Sequence, residues 1–289
     1  MKVLTPRMSD SPAPTSCSLH EMAPTSPRTI HNARVDAAIN AAFVGLDGRA
    51  SAQEVTDIDS RFGSTASTYG EVTLDGGRVI LQALIHPPFC TSAPCDGACF
   101  VDLGSGEGKM VALAAMCAGV FFSRSIGVEY SQTRHASATL ACQRLHAMVD
   151  PRERLGSSIE LVCGDMLQAH DATHAATHVY LSSLLFSRET MLLLAQMLDA
   201  APKLLAIASL QEFPLESSWS FALARGRRTV RARMTWHEAD SDQGSEVFMY
   251  RRTRDLHTNR NPMVRLLWTY QVSPSPVGHA SVRIWIRCV

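Results

Sequence analysis

The stretch CFVDLGSGEGKMVALAAM, Cys99 to Met116, passes from an apolar segment into a turn with glycine at every second position, then into a small-residue, helix-like run. A glycine-rich turn between a strand and a helix lets bare backbone approach a ligand in the crevice beyond the strand's carboxyl end. It also constrains the fold, because such turns join the strand and helix of a parallel βα unit. The chain around it alternates in the same way. CFVDLG (99–104) leads into a helix over 109–120, and RSIGVE (124–129) into a helix over 131–149 with Ser131 as its N-cap. SIELVCG (158–164) precedes a His-rich connection, HVYLSS (178–183) leads into a helix over 188–201, and KLLAIASL (203–210) follows. Strands alternating with helices of this length predict a doubly wound parallel sheet.

Beyond Leu210 the pattern changes. RRTVRARMTWHE and SEVFMYRRT read as two strands joined by the polar turn ADSDQG, an antiparallel edge that brings the expected strand count to seven. Upstream, residues 1–30 are rich in Ser, Thr and Pro and read as disordered. A helical and loop lead follows over 31–97, with a short helix ending near Gly48 and another starting near Gly77. The main domain spans 98–253, and a basic tail with two β-like runs spans 254–289.

The glycine pattern selects among nucleotides. A dinucleotide loop reads G-x-G-x-x-G, whereas here the glycines are Gly104, Gly106 and Gly108, and Lys109 stands where the third should fall. Asp102 enters the loop where a carboxylate would repel a pyrophosphate but suit an ammonium group. S-adenosylmethionine has such a cationic end and no phosphate. Glu129 closes the second strand, where a carboxylate can accept both ribose hydroxyls. Asp165 follows the third, where it can accept from an adenine amine while Met166 packs the ring. Three carboxylates at three successive strand ends around one glycine loop predict an α/β, class I (seven-β-strand, Rossmann-like) methyltransferase.

Composition narrows the setting. Apolar residues make up 46% of the 289 residues, charged residues 19%, and the formal net charge is zero, as expected of a globular protein. No run of eighteen apolar residues suggests a membrane span, and the N-terminus has no apolar stretch of the kind a secretory signal needs, so an intracellular protein is expected. The neutrality is unevenly distributed, because Arg225 to Val289 holds twelve arginines against five acidic residues. That excess suits an anionic partner, although arginine-rich strands presenting a solvated face account for it equally well. Cys90, Cys95 and Cys99 lack a fourth neighbouring ligand, and His170, His174 and His178 run out of a loop into an apolar strand. Neither set is read as a metal site.

Four segments, YGEVT (69–73), FVDLGSGEGKMV (100–111), IGVE (126–129) and CGDM (163–166), occur in an order and spacing that resembles the disruptor-of-telomeric-silencing family. These are the non-SET histone lysine methyltransferases of the lysine-seventy-nine class, acting on the globular surface of histone H3. The resemblance covers about residues 60–250, and the short chain is similar to the compact protist, especially kinetoplastid, forms. It implies that Tyr69, Gly70, Glu71 and Thr73 fold over the cofactor, and that Asp102, Gly104 and Gly106 hold its amino-acid end. Glu129 would hold the ribose, and Asp165 with Met166 the adenine. The family's Asn-Asn pair on the substrate side is replaced here by Ser182 and Ser183, with Phe186 the one aromatic kept in LSSLLF. Trp236 aligns with a channel-lining tryptophan, and a further aromatic falls on or near Phe248; either could equally be core. Tyr69 and Ser183 are expected to orient the acceptor amine.

The resemblance further implies a nucleosome partner and a nuclear address, with Arg225, Arg227, Arg228, Arg251 and Arg252 as candidates for DNA or acidic-surface contact. Two other readings remain open from the residues. One is a class I methyltransferase for a small molecule, RNA or another protein. The other is a non-catalytic module of this fold that binds chromatin through its arginine-rich end.

Overall fold

β1 (Cys99–Leu103) is buried along its whole length and hydrogen-bonds in parallel to β2 (Arg124–Glu129) on one side and β4 (His178–Leu181) on the other. In this computed structural model, which describes residues 27–85, 97–117, 121–148, 157–214, 219–223, 229–237 and 244–253, β1 is the centre of an eight-stranded sheet. β3 (Ser158–Cys163) flanks β2 in parallel, and β5 (Ala206–Ser209) flanks β4 in parallel. β8 (Ser245–Arg252) runs antiparallel to β5, and both β6 (Phe221–Leu223) and β7 (Thr229–Ala232) pair antiparallel with β8. The order is β3-β2-β1-β4-β5-β8-β6, with β7 off this path. The chain winds outward from β1 to β3, then crosses back to β4 and winds the other way. The crevice between β1 and β4 is therefore the topological switch point, where open α/β sheets bind ligands.

Helices cover both faces. α1 (Pro27–Ala42), α3 (Leu74–Ile85), α4 (Lys109–Cys117) and α5 (Gln132–Met148) bury Ile39, Ile80, Leu84, Leu113 and Leu145 on the face to which Phe100 points. α2 (Ala52–Phe62), α6 (His170–Ala175) and α7 (Arg188–Asp199) pack with Val101, Leu103 and Leu181 on the other. A strand covered on both faces has no need of polar residues. Asp102, which is buried in β1, is thus an exception that calls for a reason.

Three elements were not expected: α2, the short α6 where the sequence reads as a His-rich connection, and β6. α2 is a polar helix held by a capping box, in which Ser51 accepts from the Glu54 N–H and Glu54 accepts from the Ser51 N–H. β6 is three residues long and raises the strand count from seven to eight. α1 starts at Pro27 and ends at Ala42, and α3 starts at Leu74 rather than near Gly77. Ser131 caps α5 as expected, accepting from the Arg134 N–H at 3.1 Å. His170 and His174 lie exposed on α6, while His178 is buried in β4 against Phe121 and Phe122, so the three share no helix face. Cys90, Cys95, most of the 1–30 segment and the 254–289 tail lie outside the described residues. Among the described residues, no helix is long and apolar enough to cross a membrane.

Candidate active site

The glycine loop leaves β1 with positive φ at Gly104 (84°), Gly106 (56°) and Gly108 (81°), a conformation that L side chains disfavour. It is tied to β2 because the N–H groups of Gly104 and Ser105 both donate to the Val128 carbonyl, at 2.9 and 3.0 Å. The Gly106 N–H donates to Glu129 Oε2 at 2.7 Å, and the Ser131 N–H donates to Oε1 at 2.9 Å. Glu129 is buried, which raises its carboxyl above the usual range; those two hydrogen bonds and Arg134 offset part of the effect.

Gly104, Gly106, Asp102, Glu129, Met166 and Phe62 line a cavity at the β1/β4 crevice. Asp102 Oδ1 is buried there without a hydrogen-bond partner among the described residues. Burial, followed by the negative charges of Glu129 and Glu71, holds its carboxyl well above the usual carboxylate range. A buried carboxylate in such company is stabilised by a cation, so the donor set fits a ligand with an ammonium end.

Residues 69–72 cover the cavity, and Thr73 helps to anchor them. Val72 forms an isolated antiparallel bridge with Met234, the Thr73 N–H donates to the Arg233 carbonyl at 3.1 Å, and the Thr235 N–H donates to the Glu71 carbonyl at 2.8 Å. Glu71 accepts from the Tyr69 hydroxyl through one oxygen and from Lys109 Nζ through the other. Burial, followed by the Glu71 charge, pushes the Tyr69 phenol up, so it remains a donor. The Tyr69 ring lies so close to the loop that a Cβ on Gly106 would sit 3.0 Å from its Cε2.

Three residues that the sequence reading did not single out build this cover. Arg134 donates to the carbonyls of Gly48 (2.9 Å) and Ser67 (2.7 Å) while its guanidinium stacks on Tyr69. Glu107 accepts from the Gly48 N–H at 2.9 Å, so Gly48 is gripped at both of its backbone polar groups. Glu54 accepts from Ser131 Oγ (2.9 Å), the Thr133 N–H (2.9 Å) and Thr133 Oγ1 (2.8 Å), which docks α2 on the start of α5. Burial pushes the Glu54 carboxyl up, but hydrogen bonds from Thr133 and Ser51 outweigh it and leave it below the usual range.

A second cavity adjoins the first through shared walls at Tyr69, Gly70, Ser182 and Phe186, and adds Leu185 and Trp236. Trp236 packs against Gly70 so closely that a Cβ there would meet its ring at 2.6 Å.

Several expected site residues sit elsewhere. Ser183 is fully buried, pairs its hydroxyl with Ser209 Oγ (2.7 Å) and accepts from the Gln211 N–H (3.0 Å), so Ser182 is the hydroxyl of the pair that lines the cavities. Thr73 bonds the Gly76 N–H and the Arg233 carbonyl at the start of α3 and lines neither cavity. Gly108 packs against Ala138 and Leu161. Asp165 caps the short 3-10 turn Met166–Gln168 through Leu167, pairs its other oxygen with Arg61, Nη2 at 2.7 Å, and lines neither cavity. Phe248, on β8, is half-buried and packs against the core, lining neither cavity. Arg252 donates to the carbonyls of Leu204 (2.8 Å) and Ala201 (2.6 Å) and stacks on Phe221, which makes it a structural clamp. Arg225, Arg227 and Arg228 lie outside the described residues.

No protein-family profile matches the chain, and no curated protein matches it. Solved structures do. Magnesium protoporphyrin IX methyltransferase from Synechocystis PCC 6803, solved with bound S-adenosylmethionine, is 12% identical with a TM-score of 0.42, over 80% of this chain and 100% of that one. The methyltransferase domain of a bacterial Hen1 is 13% identical with a TM-score of 0.40, over 62% of this chain and 98% of that one. Cofactor-bound Rv0187 from MTB is 12% identical with a TM-score of 0.40, over 81% of this chain and 92% of that one. The strand order of the chain itself carries the fold, which is the α/β, Rossmann-like sheet of class I methyltransferases.

Proposed function

We propose that the chain is an S-adenosylmethionine-dependent methyltransferase acting on a lysine ε-amine of the histone H3 globular surface in nucleosomes. The observation that carries the donor is the unpartnered Asp102 oxygen beside the glycine loop, in a cavity where Glu129 is fixed by two backbone N–H groups. Asp102 receives the ammonium end, Glu129 the ribose hydroxyls, and Met166 with Phe62 the adenine ring. When bound, the donor supplies a methyl group activated on a sulfonium.

The chain's own residues then present an acceptor in line. Tyr69, Phe186 and Trp236 wall an apolar approach that meets the donor cavity at Ser182. A lysine amine has an ordinary pKa near 10.4, and entry into an apolar channel disfavours its charged form. The residues contribute chiefly orientation and exclusion of water. Histone H3 as acceptor, a nucleosome partner and a nuclear address rest on the sequence resemblance, with Arg251 and the 225–228 arginines as candidate contacts.

The test is methyl transfer from labelled donor to recombinant nucleosomes carrying the globular H3 lysine or arginine in its place. Label on the lysine nucleosome alone supports the reading. Label retained on the arginine nucleosome overturns the histone site, and transfer only to free RNA or small molecules assigns the acceptor to those classes.

A further inference from the structure

Asp102 is not alone in carrying an unpartnered polar atom at this cavity. Its register neighbour across the β1–β4 ladder is Tyr180, which also lines the cavity and is 2% exposed. The Tyr180 hydroxyl is buried without a hydrogen-bond partner among the described residues. Ser182 is its polar neighbour and draws the phenol's pKa down as a hydrogen-bonding group would, but no hydrogen bond of normal geometry joins the two. Parallel strands in register present such residues on the same face, so the two side chains stand together.

Unpartnered hydroxyls at this depth cost free energy and are rare in native proteins. Phenylalanine would fill the same volume without that cost. Two such atoms on adjacent strands, carried by residues that line one cavity, make sense together if one group with several N–H donors satisfies them both. Asp102 offers a carboxylate oxygen and Tyr180 a phenol oxygen, and an ammonium carries three donors. Burial, then the Asp102 charge, keeps the phenol protonated, so it accepts through a lone pair and leaves its own proton for a further acceptor, such as a carboxylate.

We infer that Tyr180 is a binding residue for the amino-acid end of the methyl donor, forming with Asp102 a two-residue receptor for its ammonium group. The inference rests on the donor reading above. Tyr180 acts through a hydroxyl that recognises the charged tail and leaves the adenosine half untouched.

The test compares two ligands that differ in that tail. S-adenosylhomocysteine has the amino acid, and methylthioadenosine has a methyl group in its place. Calorimetric titration of the full chain should show Tyr180→Phe binding S-adenosylhomocysteine roughly tenfold more weakly. Methylthioadenosine should bind wild type and variant equally. The ligand-free variant should melt at or above the wild-type temperature, because the change removes an unsatisfied hydroxyl. Equal losses for both ligands, or no loss for either, overturn the assignment. Wild-type protein that binds neither ligand overturns the donor reading, and the assignment with it. Wild-type protein that binds both, with no tail-specific loss in the variant, overturns the assignment alone.

Discussion

The Arg134 guanidinium lies 4.8 Å from the centre of the Tyr69 ring, over the ring that packs on the glycine loop. Arg134 is buried, and its Nε and Nη2 donate to the backbone of Gly48 and Ser67, so one side chain fixes two segments of the cover. Arg134→Ala should weaken S-adenosylhomocysteine binding by roughly ten- to a hundredfold. Arg134→Lys should recover little, because an ammonium cannot replace a planar fork. Calorimetry checks both, and an affinity within twofold of wild type in Arg134→Ala would remove the residue from the site.

Gly70 marks the boundary between the two cavities. A Cβ there would meet Trp236 at 2.6 Å, so Gly70→Ala must displace the indole. The expected outcome is a several-fold rise in acceptor KM with donor affinity changed less than twofold. Steady-state kinetics with each substrate varied in turn distinguishes this from a general loss.

Lys109 neutralises Glu71, and their side chains are 23% and 14% exposed. Lys109→Met leaves that carboxylate uncompensated beside Asp102 and Glu107 and should cost about 1–3 kcal/mol in urea denaturation. The double change Lys109→Met with Glu71→Gln should regain part of the loss. Additive losses would show that the pair does not couple.

Donor binding should depend on pH through Asp102. Its carboxyl titrates well above the usual range, and only the ionised form attracts an ammonium. Affinity for S-adenosylhomocysteine is therefore complete above that raised pKa and falls as pH drops through it. Methylthioadenosine should show no such fall, and Asp102→Asn should abolish it. Titrations across pH 5–9 read the difference.

His178 makes the fold acid-sensitive. Burial lowers its pKa to about 3, while an unfolded chain takes up the proton near 6.5. The contribution is intact above the unfolded value and is lost as pH falls from there towards the folded value, at about 1.4 kcal/mol per pH unit. His178→Phe, packed between Phe121 and Phe122, should flatten that part of the stability profile. An unchanged acid limb in thermal melts would refute it.

The parallel core was legible because β1, β2, β4 and β5, almost wholly buried, read as short apolar runs, while β3, exposed or half-buried along its length, reads as an alternating one. α2 carried a local signal, the capping-box pattern Ser51-x-x-Glu54 with Val55, Ile58 and Phe62 at helical spacing behind it, and only its docking on Thr133 lies beyond the local sequence. The three glycines and Glu129 were readable from the strand ends that carry them. Asp165 was readable as a strand-end carboxylate, but not its pairing with Arg61, 104 positions away. The Ser182-Ser183 pair shows a similar limit, since adjacent residues at a strand end face opposite ways and composition does not say which faces in. Arg134 gave no sign at all. Its three attachments are to residues brought near by the fold.

The Val72–Met234 bridge has a consequence for how the site comes into being. The cover and its anchor are separated by most of the described chain, so during synthesis the glycine loop, Asp102 and Glu129 emerge and can fold long before the strap that registers the cover. Such distant pairing must wait for closure of the intervening chain. A nascent chain that stops after β5 would already hold Tyr69 and Glu71 through Arg134 and Lys109, while the register of residues 71–73 arrives only with residues 233–235.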